Sequence, residues 1–203
     1  MTRLILVRHG ETHWNQQGRV QGHSDTSLNA TGKQQAELVA AALAREELAA
    51  VYSSPLQRAL ETARAIARRH HLPVVAVPDL QEMHLGRMDG LSLDEMRRDH
   101  ARFFLQWRQG SGSLKMPGGE SMEEVQARAW PAIEHVLERH PGQTAAVVSH
   151  NFVIMGLICR ALDMKLSNFR RLRPATGGIT VLDFKDGLAR LARFNDTCHL
   201  GKA

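Results

Sequence analysis

Long apolar runs are missing from this sequence. No stretch approaches the roughly 18 consecutive apolar residues that a spanning helix requires, so no membrane segment is expected. The amino terminus, MTRLILVRHGET, meets charge too early to read as a secretory leader. Cysteine is scarce: Cys159 and Cys198 stand in unrelated contexts without metal-type spacing, which argues against a disulfide framework or a thiolate zinc site and suits a reducing, cytoplasmic setting. Aromatic residues are only 5% of the chain, too few for the stacking platform on which single-stranded nucleic acids lie. Fixed-period repeats and low-complexity tracts are lacking too, which excludes a solenoid.

Positive charge and helical patterning are what the chain does have. A net charge of +5 favours an anionic ligand without choosing among nucleic acid, membrane surface and small phosphoesters. Most basic residues are single arginines dispersed through helical patterns such as RALETARAIARRH and MEEVQARAW, not one dense run, so no nucleic-acid partner is expected. A chain of 203 residues with 43% hydrophobic residues can bury one large core, and a single domain over 1–203 is the expectation.

Apolar periodicity predicts buried strands at 4–7, 50–52 and 144–148, an outer strand at 74–77, and two alternating segments at 178–184 and 188–195 joined by an Asp-Gly turn signal. Helices are expected over 31–47, opened by a capping box from Thr31 to Gln34, and over 55–69, with Ser54 as N-cap and Pro55 in the first turn. Capping-box patterns at Ser92 and Ser121 predict helices over 93–108 and 121–139. The stretch 78–91 reads as loop and the glycine-rich 110–119 as mobile. Alternating strands and helices predict a three-layer α/β/α sandwich with a mostly parallel central sheet.

Two of these strands end alike. Arg8-His9 and Ser149-His150 each follow a buried apolar run, at the carboxyl edge where open α/β sheets bind ligands. Either histidine alone reads as well as a neutral core residue; both at corresponding strand ends, one beside Arg8, point to a site. Arg58 sits in the first turn of the helix after the 50–52 strand, where helix N–H groups and a guanidinium fork suit phosphate, although a surface pair with Glu61 is the plain alternative.

Arg8-His9-Gly10-Glu11-Thr12, Trp14-Asn15, Gln21-Gly22, Ser53-Ser54-Pro55-Leu56 with Arg58 and Thr62-Ala63, and Ser149-His150 together resemble the histidine phosphatase superfamily, in its phosphoglycerate-mutase-like branch. The likeness runs from the first strand to at least His150. It implies a fold with helices on both faces of a sheet, His9 as nucleophile, Arg8, Arg58 and His150 as ligands of the phosphoryl oxygens, and Glu82 as proton donor. It also implies that Asn15, Gln21 and Gly22 line the substrate pocket and that a cap lies near 79–120. The ligand implied is a small phosphorylated metabolite. No cofactor is implied, and oligomeric state, a homodimer included, is left open.

Each residue type suits its implied role. A neutral imidazole nitrogen can attack phosphorus, provided a carbonyl holds the proton on the other ring nitrogen. Two guanidinium groups and His150, as imidazolium, would meet the phosphoryl charge. Glu82, if buried, can protonate the leaving oxygen and later take a proton from water; His84 is a weaker rival, and a solvated loop carboxylate is the bland alternative. The arginines supply the charge that a metal otherwise would. His9 and His13 are four apart, but Gly10 argues against the helix that would align them as ligands, so metal is not expected.

Mutases of this kind tend to carry an extra lid to shield phosphohistidine, and no such insertion is evident in the 91–118 stretch, which favours hydrolysis over phosphoglycerate mutase activity. A module that binds a phosphorylated partner without turnover is the other class in play, and the presence of both histidines and both arginines argues against it. The chain departs from many relatives at Leu85, where an aromatic is common, and at Met88-Asp89-Gly90. A pocket rimmed by Met83, His84, Leu85, Met88, Phe103, Phe104 and Met116 is one reading, with core packing the alternative.

Overall fold

The computed structural model describes residues 1–110 and 112–201. Strands β1 (Thr2–Arg8), β2 (Leu48–Ser53), β3 (Val74–Ala76), β4 (Thr144–Ser149), β5 (Ile179–Lys185) and β6 (Leu188–Asp196) form one sheet in the order β3-β2-β4-β1-β5-β6. The first four in that order are parallel, and β5 and β6 add an antiparallel edge. Asp186 and Gly187 turn the β5–β6 hairpin with φ of 52° and 77°, the left-handed pair that a two-residue loop demands.

Alternation along β1 explains the layers. Leu4 and Leu6 face one core and Ile5 and Val7 the other, so both faces of the strand must be covered. Helices α2 (Ala30–Leu43) and α3 (Gln57–His70) cover the Ile5 face through Val39, Ala40, Ala63 and Ile66. Helices α6 (Met122–Arg139) and α7 (Asn151–Ala161) cover the other through Val125, Ile133, Ile154 and Ile158. The result is the expected α/β sandwich with a mostly parallel sheet.

Several boundaries differ from expectation for local reasons. Helix α2 is capped by Asn29, whose side chain accepts from Gly32 N at 2.8 Å, so Thr31 lies inside the first turn. Helix α3 begins at Gln57, two residues after Pro55, with no side-chain cap. The expected 93–108 helix breaks at His100 (φ −132°, ψ 34°) into α4 (Leu93–Asp99) and α5 (Ala101–Gln109). A short α1 (His13–Gln16) went unforeseen, closed by a reciprocal Thr12–Asn15 box. Within 78–91 lie two 3-10 turns, Pro78–Leu80 and Gly86–Met88. The 110–119 stretch, of which residue 111 lies outside the described residues, is fastened to this loop: Arg87 N donates to Pro117 O, Glu120 N donates to His84 O, and Met116 is buried.

Candidate active site

Register brings the two histidines together. Strands β1 and β4 are parallel neighbours with Arg8 opposite Ser149, so the next residue on each, His9 and His150, leaves the same edge side by side. Their ring centroids are 5.0 Å apart and both rings are buried. Strand β2 lies on the other side of β4 with Ser53 opposite Val148, which delivers the following loop and Arg58 to the same place. Arg58 is fully buried, and its Nη1 and Nη2 donate to Ser24 O and Gly22 O at 2.8 Å each. No surface pair with Glu61 forms. Arg8 Nη1 donates to Pro174 O at 2.7 Å, which aims the guanidinium across the edge.

Three polar atoms here are buried without a hydrogen-bond partner among the described residues: Arg8 Nε, Arg58 Nε and His150 Nδ1. An unsatisfied buried donor costs on the order of 1–3 kcal/mol. Three at one sheet edge form a ready set of donors for an anion. The start of α7, whose N-cap is His150, adds the positive end of an eleven-residue helix dipole.

The electrostatics separate the roles. Burial, with Arg58 and Arg8 close by, holds His9 well below its ordinary range. Its Nδ1 lies 2.7 Å from Gly10 O, an atom that can only accept, so the proton sits on Nδ1 and the lone pair on Nε2. His150 departs from the imidazolium expected of it: burial, then Arg58 and His9, keep its ring neutral. Its Nε2 lies 2.8 Å from Ser54 Oγ, and with that hydroxyl donating, Nδ1 carries the hydrogen and still offers an N–H. Desolvation draws Arg8 down to about 10, with Arg58 adding to the effect, which leaves it charged.

Glu82 is only 4% exposed, not a solvated loop carboxylate. Burial raises its carboxyl above the ordinary range, against the pull of Met83 N, Phe152 N, Arg58 and Arg8. The backbone leading into it is held by Arg128, which showed no signal in the sequence, and by Ser149. Arg128 of α6 donates to Asp79 O, Gln81 O and Glu82 O while pairing with Glu120, and Ser149 Oγ donates to Leu80 O. His84, the rival donor, has its N–H on Glu120 and its ring 4.8 Å from that of His23.

The three pocket residues are engaged with the protein's own groups. Gln21 spends both ends of its amide internally, Nε2 on Thr12 Oγ1 and Oε1 on Thr26 Oγ1, each at 2.6 Å. Asn15 Oδ1 accepts from Thr12 N, leaving its NH2 without a partner among the described residues. Gly22 supplies the carbonyl that holds Arg58, and a Cβ there would lie 2.7 Å from Met83 O. Asp89, in the departure noted after Gly86, accepts from Gly22 N and Ser24 N and so fixes the loop that orients Arg58. Met83, Leu85, Met88 and Met116 are core residues and not a rim, since each packs inward under the sheet. Phe104 does line a cleft, of about 1030 Å³, that Arg8, Asn151 and Phe152 also border. Among the described residues no group of three or more His, Cys, Asp or Glu side chains is arranged to hold a metal.

A buried cluster of anion donors around an unprotonated imidazole, with a protonatable carboxyl beside it, defines an enzyme of phosphoryl transfer on an α/β scaffold. The model of the histidine phosphatase superfamily (branch 1) matches residues 4–197, and the chain belongs to that superfamily as a phosphatase. Phosphoserine phosphatase 1 of Hydrogenobacter thermophilus is 36% identical over 202 residues, covering 100% of this chain and 96% of its own. Mycobacterial glucosyl-3-phosphoglycerate phosphatase superposes with a TM-score of 0.90 at 30% identity, over 96% of this chain and 99% of its own. A probable phosphoglycerate mutase of Serratia proteamaculans is 35% identical over 90% of this chain and 85% of its own. No helix among the described residues is long and apolar enough to cross a membrane.

Proposed function

We propose that the protein hydrolyses small phosphomonoesters in two steps through a phosphohistidine on His9. Nε2 of the neutral imidazole attacks phosphorus, the ester P–O bond breaks, and the proton on Glu82 goes to the departing oxygen. Water then attacks the phosphohistidine, the P–N bond breaks, and the Glu82 carboxylate takes the water's proton, restoring both groups. Arg8, Arg58 and the Nδ1–H of His150 meet the charge on the three equatorial oxygens, where a preorganised donor is typically worth about 3–4 kcal/mol. The juxtaposition that carries this reading is the pair of imidazoles 5.0 Å apart amid Arg8 Nε, Arg58 Nε and His150 Nδ1, none of which has a partner among the described residues.

Names of full-length relatives support a substrate that is a small phosphorylated metabolite, since phosphoserine and glucosyl-3-phosphoglycerate phosphatases are among them. The 79–120 segment serves as the cap of a single domain. Two unpaired cysteines, Cys159 buried and Cys198 exposed, support a reducing, cytoplasmic setting. The test is release of inorganic phosphate from p-nitrophenyl phosphate in EDTA. Wild type is expected to turn over and His9→Ala to lose activity by at least about a thousandfold. A requirement for added metal, or persistence in the variant, overturns the mechanism. Mutase-named relatives make interconversion of 2- and 3-phosphoglycerate the companion assay, in which efficient turnover would replace hydrolysis by transfer.

A further inference from the structure

Among the described residues, the cleft that opens from Arg8 is lined by five arginines and by no carboxylate side chain. At about 1030 Å³ it exceeds what a phosphate on a three-carbon body fills, and it lies at the upper end of the range that encloses drug-sized ligands. Its apolar wall is aromatic: Trp107 packs edge-on against Phe152, with centroids 6.0 Å apart, and against Phe169 at 5.7 Å.

Three of the arginines are already committed. Arg8 belongs to the phosphate cluster. Arg97 pairs with Asp94 at 2.9 Å and lies over the Phe104 ring. Arg170 donates to Trp107 O and Gly110 O at the end of α5, and its guanidinium sits 4.5 Å from the Trp107 centroid and 4.3 Å from that of Phe169. It therefore fixes the aromatic wall. Arg108 and Arg173 make no hydrogen bond or ion pair among the described residues, Arg108 touching only the face of Phe104. They reach the cleft from two elements, Arg108 from α5 and Arg173 from the turn directly before Pro174, whose carbonyl aims Arg8. An anion held at Arg173 is thus one residue along the chain from the group that orients the phosphate ligand.

We propose that the preferred substrate carries, beyond the phosphate cleaved at His9, an apolar or aromatic body lying against the aromatic wall of this cleft and a second anionic group held by Arg108 and Arg173. The arginine forks suit a planar carboxylate or a phosphate alike, and the ring wall suits a flat body. This deepens the phosphatase reading and rests on it.

The probe is a matched pair of aryl esters, 4-phosphonooxybenzoate and its carboxamide, which have the same shape and differ in the distal charge. The ratio of their kcat/KM values is measured for wild type, Arg108→Ala/Arg173→Ala and Arg108→Lys/Arg173→Lys. Comparison between enzymes cancels the difference in leaving group. The wild-type ratio is expected to exceed that of the alanine pair by at least about tenfold, with the lysine pair between. In wild type alone, raising NaCl from about 20 to about 500 mM should depress the benzoate rate more than the carboxamide rate. Ratios within about twofold across the enzymes, or equal salt sensitivity of the two esters, overturn the second-anion proposal. Hydrolysis of neither ester by wild type would instead overturn the phosphatase reading beneath it.

Discussion

At the residue scale, one cause, burial, gives the two reactive groups opposite protonation states. Desolvation lowers His9 and raises Glu82, so the nucleophile is unprotonated and the donor protonated over a shared pH window bounded below by the lowered imidazole and above by the raised carboxyl. The sign follows directly: kcat/KM holds as pH drops through 6.5, the ordinary imidazole value, and declines as pH rises through the raised pKa of Glu82. Replacing Glu82→Gln removes the proton but keeps the shape. In kcat/KM, which reports the phosphorylation of His9 and not the later attack by water, an alkyl monoester is expected to fall by about 10²–10⁴-fold, while p-nitrophenyl phosphate, whose leaving group needs no proton, falls by less than about tenfold. Steady-state rates for both esters from pH 4.5 to 8 check this; an equal loss for the two would remove Glu82 from the role of acid. Burial also holds His150 well below its ordinary range, because a low dielectric and two guanidinium groups oppose a third positive charge.

At the element scale, the site depends on close backbone approach between the β1 loop and α2. A Cβ on Gly10 would lie 2.4 Å from Gly32 O, a backbone atom that cannot step aside, while Gly10 N donates to Thr62 Oγ1 of α3. Gly10→Ala is therefore expected to cost about 3 kcal/mol of unfolding free energy in urea, in the manner of an overpacked core. It should lower kcat more than KM, because His9 shifts with the loop. The strand ends and their histidines were legible in the sequence because β1 and β4 are short apolar runs that stop abruptly at a charged or polar pair. What could not be read there came from pairing between distant segments. The break at His100 follows from packing of Phe104 and Trp107 into the core, which no local breaker residue announces. Ser54 looked like the N-cap, yet its hydroxyl is shared between Leu56 N, ahead of the helix, and His150. Arg128 looked like one of many dispersed helix charges, yet it clamps three carbonyls under Glu82. A single helical arginine carries the same local pattern whether it faces solvent or a loop of carbonyls, so only the fold separates the two.

At the scale of the whole molecule, stability and function meet at the carboxyl edge of the sheet. The two cores on its faces are apolar and closed, whereas the edge holds a buried guanidinium group, a half-buried one and two buried histidines, with three donors unpartnered among the described residues. A chain of net charge +5 that gathers cations there stores part of its instability where the ligand binds. An oxyanion that fills the cluster binds the folded state alone and must stabilise the entire cooperative unit. Orthovanadate at about 100 times its Kd should add about 2.7 kcal/mol, which in a domain of this size moves Tm up by about 5–10 °C. Calorimetry in metal-free, chelator-free buffer with and without the anion tests this, and the shift should vanish in Arg58→Ala even where that variant melts lower. The arginine loses its two carbonyl bonds and its charge together, so its own Tm falls for structural reasons; the missing increment on adding anion is the part that reports the site. An increment of full size in Arg58→Ala would mean that the anion binds elsewhere and that the cluster at the strand ends is not the phosphoryl site.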